Sequence, residues 1–440
     1  MNVAKEISCN VPLKNKTLIL CDFDGTVSVK DTVNRLVRSH ILGSDWRFHV
    51  KRYMRGEIGS RAVYESVGPM MRMDHSDLEN FVREHAQLDP YFPDFLRWAR
   101  TREIDVKIVS DGFDATIKTL LDNHGIDGVE IYSNRLVLES NRRVRLESPH
   151  WDPSCGECGT CKLKILNTFR SQYTKILLIG DGESDRHAAQ HADMVIALKD
   201  LFLYCARNDI PAMRVDGFEE IPRLLSRRVE AAVFDMDGTL TDSIDSIAET
   251  FNHMFAQLGY PQMTRDEVVR NTSISLMDFL QSYVKPEEFE RSLDVFREYY
   301  HSIYLDKTTP IPGALETLEA LNGTMLLGII TNKRGFYARK IAEHMGFSHH
   351  FHRIIGALDG FKAKPSGEMI EEFMRSAKAA RDRTIYVGDT PLDVEAAHNA
   401  GIDAYVIANT TYSAEELALT EPRRVLKDIA EVHQAFQPVV

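Results

Sequence analysis

Short apolar runs with the length and composition of buried β-strands recur along this chain. Those at residues 17–21 and 231–234 each lead into Asp-x-Asp-Gly-Thr, where the glycine lets the chain turn as the strand ends. Between the runs, apolar residues recur at helical spacing and several stretches stop at glycine, which predicts helices over residues 92–99, 114–124, 336–345 and 391–400. This alternation predicts an α/β fold whose parallel sheets are covered by helices on both faces.

The second half of the chain repeats the order of these patterns. An Asp-x-Asp strand end, a strand leading into a hydroxyl residue and a strand leading into Gly-Asp occur at residues 17–26, 106–112 and 176–185, and again at 231–239, 326–333 and 385–393. The repeat predicts two copies of one domain, at residues 1–227 and 228–440. The helical stretch after each first strand is too long for one crossover, so we expect inserted helical caps at about 30–95 and about 243–310. Within the first cap, Ser76-Asp77-Leu78-Glu79 predicts a capping box.

Composition narrows the class of partner. The 440 residues, 43% apolar and 27% charged, are typical of a folded protein with more than one domain. A net charge of −12 argues against a nucleic-acid-binding surface, so we expect small-molecule partners. No apolar run approaches the ~18 residues of a membrane span, and the start lacks the apolar centre of a signal peptide. The sequence therefore predicts a cytoplasmic protein without a membrane partner.

Carboxylates follow the first strand of each half in a pattern suited to phosphoryl transfer. A carboxylate at a strand end can act as a covalent nucleophile, a role that we assign to Asp22 and Asp235. A carboxylate two residues later can protonate a leaving alkoxide and then activate water, which fits Asp24 and Asp237. Ligands of parallel sheets bind at the carboxyl ends of the strands, where all four residues are predicted to lie.

Acidic, hydroxyl and lysine residues follow the other strands. Two carboxylates lie after the last of these strands in each half, and clusters of hard oxygen ligands suit Mg²⁺; they are Asp181 and Asp185, and Asp389 and Asp393. Hydroxyl groups and the backbone N–H groups that follow them can donate to phosphoryl oxygens, and lysines can supply the remaining positive charge. The expected phosphate-binding residues are Ser110, Asp111, Gly112 and Lys162 in the first half, and Thr331, Asn332 and Lys364 in the second.

Three cysteines immediately precede Lys162. Cys155, Cys158 and Cys161 could bind zinc with His150 or Cys205 as a fourth ligand, although the usual second CxxC pair is missing. Reduced thiols packed in a loop that positions Lys162 are the alternative.

Two further clusters have a functional and a structural interpretation. Ser348-His349-His350-Phe351-His352 could bind metal, but an exposed loop between a helix and a strand is favoured. Residues 141–145 could contact phosphate through their arginines, but a charged hairpin turn is favoured.

Each half contains these motifs in the same order. On these motifs, both halves resemble phosphatases of the haloacid dehalogenase superfamily. The resemblance implies two Rossmann-like domains with inserted helical caps, each using one Mg²⁺. It implies that Asp22 and Asp235 become phosphorylated and that Asp24 and Asp237 are the acid/base residues. It also implies Mg²⁺ ligands from the nucleophile, from the backbone carbonyl of the second aspartate, and from the last acidic motif; these are Asp22, Asp24 and Asp181 with Asp185 in support, and Asp235, Asp237 and Asp389 with Asp393 in support.

The two halves resemble different branches of that superfamily. Cys-Asp-Phe-Asp-Gly-Thr at 21–26, Ser-Asp-Gly at 110–112 and Cys-Gly-Thr-Cys-Lys at 158–162 are similar to phosphoserine-phosphatase-like members, among them 2-hydroxy-3-keto-5-methylthiopentenyl-1-phosphate phosphatases and phosphoethanolamine/phosphocholine phosphatases. Residues 234–243, Thr-Asn-Lys at 331–333 and Lys-Pro at 364–365 resemble phosphoglycolate phosphatase, a motif set shared with β-phosphoglucomutase.

The expected function is a tandem Mg²⁺-dependent phosphatase that hydrolyses small phosphorylated metabolites. Two alternatives stay open at this point. One half could bind phosphorylated metabolites or act as a scaffold without turnover, or the C-terminal half could be a sugar phosphomutase.

Overall fold

The computed structural model describes residues 16–43, 46–55, 57–155, 158–271 and 276–440. The chain divides into two compact units between Leu225 and Ser226, and Val440 belongs to the first unit. Across the described ranges, every helix is too short or too polar to cross a membrane.

The first unit is built on a seven-stranded sheet. Its strands are β1 (Thr17–Cys21), β2 (Asp105–Phe113), β3 (Glu130–Leu138), β4 (Val144–Glu147), β5 (Lys175–Gly180), β6 (Met194–Ala197) and β7 (Ala212–Arg214). The strand order is β4-β3-β2-β1-β5-β6-β7, and each neighbouring pair is parallel except β3 and β4. In the central strand β1, residues 18–21 are fully buried, as expected for a strand with both faces covered.

Ten helices accompany this sheet in the described part of the first unit. They are α1 (Val33–His40), α2 (Trp46–Met54), α3 (Ser60–Val67), α4 (His75–His85), α5 (Phe92–Thr101), α6 (Asp114–Asn123), α7 (Lys162–Phe169), α8 (Arg186–Ala189), α9 (Lys199–Arg207) and α10 (Ile221–Ser226). Helices α1 to α4 occupy the stretch that the sequence predicts as a cap.

The capping box in this stretch lies two residues before the predicted one. Helix α4 begins after Asp74, whose side chain accepts a hydrogen bond from the Asp77 backbone N–H, while the Asp77 side chain accepts one from the Asp74 backbone N–H. The prediction at Ser76 is therefore wrong. Two aspartates three residues apart can accept from the same backbone N–H groups as a serine and a glutamate at that spacing. The sequence is therefore compatible with a capping box that begins at Asp74 or at Ser76.

The connection between β3 and β4 confirms the predicted charged hairpin. The two strands are antiparallel, and Asn141 and Arg142 turn the chain with φ of 60°. The Arg142 guanidinium forms ion pairs with Asp74 and Asp77.

The second unit has a six-stranded parallel sheet and a two-stranded ribbon. Its strands are β8 (Ala231–Phe234), β9 (Thr241–Asp242), β10 (Thr309–Pro310), β11 (Leu326–Arg334), β12 (Arg353–Ala357), β13 (Thr384–Gly388), β14 (Asp403–Ile407) and β15 (Arg424–Leu426). The sheet order is β12-β11-β8-β13-β14-β15. The ribbon pairs β9 with β10 in antiparallel register.

The described helices of this unit lie between and around these strands. They are α11 (Ile244–Leu258), α12 (Arg265–Asn271), α13 (Leu276–Tyr283), α14 (Phe289–Ile303), α15 (Ala314–Leu321), α16 (Gly335–His344), α17 (Glu368–Ala377), α18 (Pro391–Asn399), α19 (Ala414–Ala418) and α20 (Glu431–Ala435). Helices α11 to α14 lie between β9 and β10 in the chain, so the ribbon joins the two ends of the predicted second cap.

Side chains of β8 alternate between two buried clusters. Ala232 and Phe234 pack into a core that includes residues of α11, α14 and α16, whereas Ala231 and Val233 pack with residues of α17 and α18 on the other face. Both faces of the sheet are therefore covered. The parallel sheets flanked by helices confirm the predicted α/β class.

The histidine cluster forms a 3-10 turn between α16 and β12, at Ser348–His350. His350 is buried, so the expectation of an exposed loop is wrong for this residue. In a 3-10 turn, residues three apart lie on the same side. His350 therefore follows Phe347, which is also buried, into the interior.

Candidate active sites

Three carboxylates of the first unit meet at the carboxyl ends of β1 and β5. Asp22 directly follows β1. Its backbone N–H donates to the carbonyl of Ile179 in β5 at 2.8 Å, so the ends of β1 and β5 lie side by side. Asp181 and Asp185 follow β5. One oxygen from each of these three side chains lies within 4.8 Å of the other two.

Lys162 lies within this carboxylate cluster. It is the first residue of α7 and is buried. Its ammonium group lies 2.7 Å from Asp22 and 2.6 Å from Asp185, and donates to Ser184 Oγ at 3.0 Å. Burial alone would lower the pKa of Lys162, but the charges of Asp185 and Asp22 outweigh burial and raise that pKa. The lysine therefore stays protonated beside Asp22.

Asp24 faces the first site from the turn after β1. Its Oδ1 accepts hydrogen bonds from the backbone N–H and the hydroxyl of Thr32, both at 2.6 Å. Its Oδ2 is buried and has no hydrogen-bond partner among the described residues. Burial raises the pKa of Asp24 to about 6, against the opposing effect of the Thr32 hydrogen bonds.

The predicted phosphate-binding residues in the last part of β2 have two different roles, some lying at the site and one holding a neighbouring loop. The Gly112 N–H donates to Ser110 Oγ at 2.9 Å, and a Cβ on Gly112 would lie 2.6 Å from Asp24 Oδ2. The Asp111 carboxylate instead accepts from the Thr160 N–H at 2.9 Å and from Asn134 at 3.0 Å. Its side chain anchors the loop that leads into α7.

The second unit repeats the carboxylate cluster and its lysine. Asp235, Asp389 and Asp393 are all buried, and one carboxylate oxygen from each lies within 4.8 Å of the other two. The Asp235 N–H donates to the Val387 carbonyl at 2.8 Å, as Asp22 does to the corresponding strand. Lys364 lies 2.9 Å from Asp235 and 2.7 Å from Asp393.

The predicted phosphate-binding residues in the last part of β11 support this arrangement. Thr331 Oγ1 accepts from the Lys333 backbone N–H at 3.2 Å. Asn332 donates to the Lys364 carbonyl at 3.1 Å and accepts from the Lys364 N–H at 2.8 Å. Asn332 therefore holds the backbone of the lysine that contacts Asp235.

Asp237 has a different neighbour from Asp24. The Ser243 hydroxyl donates to Asp237 Oδ1 at 2.6 Å, and the Lys333 ammonium lies 3.0 Å from Oδ2. The Lys333 side chain is 7% exposed, and its ammonium group also donates to the Tyr300 hydroxyl, on helix α14, at 2.6 Å. The sequence interpretation missed Lys333, although it directly follows Asn332 in the same motif.

Both carboxylate clusters fit a divalent cation. Burial raises the pKa of Asp22 and of Asp389 well above the usual range, and neighbouring carboxylates raise it further. A bound cation would relieve this repulsion, and oxygen-only ligands suit Mg²⁺ rather than softer metals. The residues that would hold it are Asp22, Asp181 and Asp185, and Asp235, Asp389 and Asp393.

One further residue in each half contacts the same clusters and was also missed. Lys199 Nζ lies 2.9 Å from Asp181 Oδ2, and Asn409 Nδ2 donates to Asp389 Oδ2 at 2.8 Å. Lys199 is the first residue of α9, and Asn409 lies in the loop after β14. Both lie outside the motifs that the sequence analysis identified.

The cysteine loop differs from these clusters. Cys155, Cys158 and Cys161 are free thiols. Throughout the described ranges, only the two aspartate groups bring three candidate ligand atoms within 4.8 Å of one another. The zinc site stays a prediction, and Cys161 immediately precedes α7, the helix that carries Lys162.

Comparison with known proteins assigns a family to each half. Residues 17–209 match the family model described as "Putative Phosphatase", and residues 232–407 match the model described as "Haloacid dehalogenase-like hydrolase". A 2-hydroxy-3-keto-5-methylthiopentenyl-1-phosphate phosphatase of Exiguobacterium sibiricum is 31% identical over 209 residues, covering 46% of this chain and 93% of the relative.

Two other similar proteins are a phosphatase and a haloacid dehalogenase-like hydrolase. A phosphoglycolate phosphatase of Aquifex aeolicus is 29% identical over 170 residues, covering 38% of this chain and 80% of the relative. A solved structure of a haloacid dehalogenase-like hydrolase from Streptococcus pneumoniae is 25% identical, with a TM-score of 0.45, covering 48% of this chain and 99% of that protein.

The chain belongs to the haloacid dehalogenase superfamily, which confirms the resemblance found in the sequence. It is a hydrolase of the phosphatase class.

Proposed function

We propose that the protein is a tandem Mg²⁺-dependent phosphatase in which each half hydrolyses small phosphomonoesters through its own aspartyl-phosphate. One observation supports this most strongly. In both halves a buried lysine lies within 2.9 Å of the carboxylate that ends the central strand and within 2.7 Å of a carboxylate from the last acidic motif. A half that served only as a scaffold would not need this arrangement.

The first chemical step transfers the phosphoryl group to the protein. Asp22 or Asp235 attacks phosphorus as the bond to the leaving oxygen breaks. Lys162 or Lys364 keeps the nucleophile fixed and can donate to phosphoryl oxygens as their charge develops.

The second aspartate of each Asp-x-Asp motif transfers the proton. Asp24 or Asp237 gives a proton to the leaving alkoxide and then takes one from the water that attacks the phosphoaspartate. The hydrogen bonds from Thr32 and Ser243 fix the position of one oxygen of each carboxylate. The other oxygen of Asp24 is free to meet the leaving group.

A bound Mg²⁺ would neutralise the substrate phosphate among these carboxylates and help to orient it. The carboxylates proposed to hold it are Asp22, Asp181 and Asp185 in the first half, and Asp235, Asp389 and Asp393 in the second.

The proposed substrates are small phosphorylated metabolites, and the two halves are proposed to differ in which they accept. Helices α1 to α4 and α11 to α14 occupy corresponding places after the first strand of each unit and have unrelated sequences. The surroundings of the two acid/base residues differ as well, with Thr32 beside Asp24 and Lys333 beside Asp237.

Nucleophile variants test this proposal. Asp22→Asn should abolish one set of activities on a panel of phosphomonoesters, and Asp235→Asn another, because the amide keeps the shape of the side chain but cannot attack phosphorus. The double variant should release no phosphate. If Asp235→Asn changes no activity on any panel member, including interconversion of sugar phosphates, the second half is a scaffold or binding module.

A further inference from the structure

Lys199 and Asn409 occupy the same position in the two units. Each is the second residue after the end of the strand that neighbours the last acidic motif, since β6 ends at Ala197 and β14 ends at Ile407. Strand β6 pairs with β5, and β14 pairs with β13, in the same parallel arrangement. The two side chains can therefore be compared directly.

Both side chains contact the same oxygen of the equivalent carboxylate. Lys199 lies 2.9 Å from Asp181 Oδ2 and also donates to the Gly25 carbonyl at 2.6 Å. Asn409 donates to Asp389 Oδ2 at 2.8 Å. The equivalence extends to the turn after the first strand, because a Cβ on Gly25 or on Gly238 would lie 2.2 or 2.1 Å from that same Oδ2.

The difference between the two contacts is a full positive charge. Around it the two clusters share three carboxylates and one lysine that bridges the nucleophile and the last acidic motif, while Asp389 also accepts from the Thr239 hydroxyl at 2.7 Å. The second lysine of the C-terminal site, Lys333, contacts Asp237 and not the metal-binding cluster. Beyond the bridging lysine that both clusters share, the first site alone among the described residues has an ammonium group on a carboxylate proposed to bind Mg²⁺.

The backbone at Lys199 is adapted to this contact. Its φ is +46°, in the left-handed region that non-glycine residues seldom adopt. The Leu201 N–H donates to the Asp181 carbonyl at 3.1 Å, so the start of α9 is tied to the residue that Lys199 contacts. An unusual backbone conformation at a candidate site is consistent with a specific task for the side chain.

We propose that Lys199 is a positioning residue that holds Asp181 and lowers the Mg²⁺ affinity of the first site, so that the second site fills with Mg²⁺ at a lower concentration than the first. The ammonium group repels a cation bound to the same carboxylate, whereas the amide of Asn409 does not. Because the Lys199 side chain is half exposed, solvent and salt reduce the effect to about three- to tenfold in affinity. This inference rests on the proposed use of Mg²⁺ at both sites.

Direct Mg²⁺ binding to the full chain tests the inference without relying on activity. Asp389→Asn disables the second cluster, so calorimetric titration with MgCl₂ then reports the first site. Lys199→Asn in that background should tighten binding by about three- to tenfold, and asparagine tolerates the left-handed conformation. Lys199→Arg keeps the charge and should leave the affinity within about twofold of the parent. The parent should also bind Mg²⁺ more weakly than Asp181→Asn, which reports the second site.

The outcomes separate this inference from the proposed function. If Mg²⁺ binds but Lys199→Asn leaves the affinity unchanged or weakens it, Lys199 has no such effect and the inference fails alone. Tightening by Lys199→Arg equal to that by Lys199→Asn would also overturn it, because the charge would then be irrelevant. If neither single-site variant binds Mg²⁺, the proposed function fails and the inference fails with it.

Discussion

The ammonium group of Lys333 lies 3.0 Å from a carboxylate oxygen of Asp237. At the corresponding place of the first half, in the motif that begins at Ser110, the residue is Gly112. The same Asp-x-Asp motif therefore presents its second carboxylate in two different electrostatic settings. Asp237 has a buried cation beside it, whereas Asp24 has a threonine and an unpaired, buried oxygen.

Lys333→Met should impair the second site selectively. The change leaves Asp237 without its charged partner and removes the donor to Tyr300, so we expect kcat/KM of the second-site activity to fall about 10- to 100-fold. Activity lost in Asp22→Asn is the internal control and should be unchanged in Lys333→Met. Equal losses at both sites would point to a general folding defect.

Gly112→Ala should impair the first site selectively. The new Cβ would lie 2.6 Å from Asp24 Oδ2, which is closer than Cβ atoms approach other heavy atoms, and 3.0 Å from Ser110 Oγ, which is a tight contact. We expect the first-site rate to fall at least tenfold, on the order of the loss caused by a misplaced catalytic group. Gly217→Ala, where φ lies outside the left-handed region and the nearest atom to the added Cβ is Asp89 Oδ2 at 3.3 Å, controls for the loss of a glycine. Full first-site activity in Gly112→Ala would show that Asp24 is not confined in this way.

Replacing the acid/base residues should affect poor leaving groups most. Asp24→Asn and Asp237→Asn remove a proton carrier, whose contribution is typically ~10²–10⁴-fold. Alkyl phosphates need a proton on the leaving oxygen, whereas nitrophenyl phosphate does not. Steady-state rates on matched alkyl and aryl esters should show the larger loss for the alkyl ester, and equal losses would count against the assigned role.

Chelation should remove both activities. With EDTA, the three carboxylates of each cluster would face an anionic substrate with fewer ammonium groups than carboxylates to offset their charge. Phosphate release should stop at both sites and return on addition of Mg²⁺. Undiminished turnover in protein from which divalent metals have been removed would contradict the mechanism.

Asp403 should stabilise the second unit in a pH-dependent way. Burial would raise the pKa of Asp403, but Arg423 and Arg227 outweigh burial and hold it below the usual value of 3.8. A carboxyl with a lowered pKa in the folded state contributes stability above its unfolded pKa, and this contribution is lost as the pH falls through the folded pKa. Asp403→Asn should therefore destabilise the unit by about 3 kcal/mol at pH 7, with the difference shrinking below about pH 4.

Hydrogen exchange is the suitable readout for this variant. All three tryptophans, Trp46, Trp98 and Trp151, belong to the first half, so their fluorescence does not report on the second unit. Exchange in peptides spanning residues 384–426 should accelerate in Asp403→Asn. Glu343→Gln, which breaks an exposed ion pair with Lys340 in the same unit, should change exchange little. A pH-independent difference for Asp403→Asn would refute the electrostatic explanation.

The strand-end residues could be predicted because their signals are local. An apolar run followed by Asp-x-Asp-Gly-Thr defines both a buried strand and its turn, and the structure brings Asp22 and Asp181 together because parallel strands end at one edge. The helix ends at Gly125, Gly346 and Gly401 could also be predicted from a local signal. Each glycine has a positive φ, which glycine adopts readily where a helix ends.

Residues that reach the sites from other segments could not be predicted. Lys199 acts through a backbone conformation that no spacing rule indicates, and Tyr300 reaches Lys333 from a helix far along the chain. The buried position of His350 depends on a 3-10 turn that three consecutive polar residues do not suggest. Local patterns thus identify the chemistry at the strand ends, while tertiary placement determines its surroundings.

The ribbon of β9 and β10 affects how the sequence and length of the predicted second cap can change during evolution. Thr241 pairs with Pro310 and Asp242 with Thr309, so the polypeptide leaves the sheet-bearing part of the second unit and returns to it at one point. Closing a longer or shorter loop at a fixed point changes the free energy only slowly with length. Over evolutionary time, residues 243–308 can therefore be lengthened, shortened or exchanged as a block while the register of the sheet below is inherited unchanged. New cap sequences can be acquired by recombination at these two short strands.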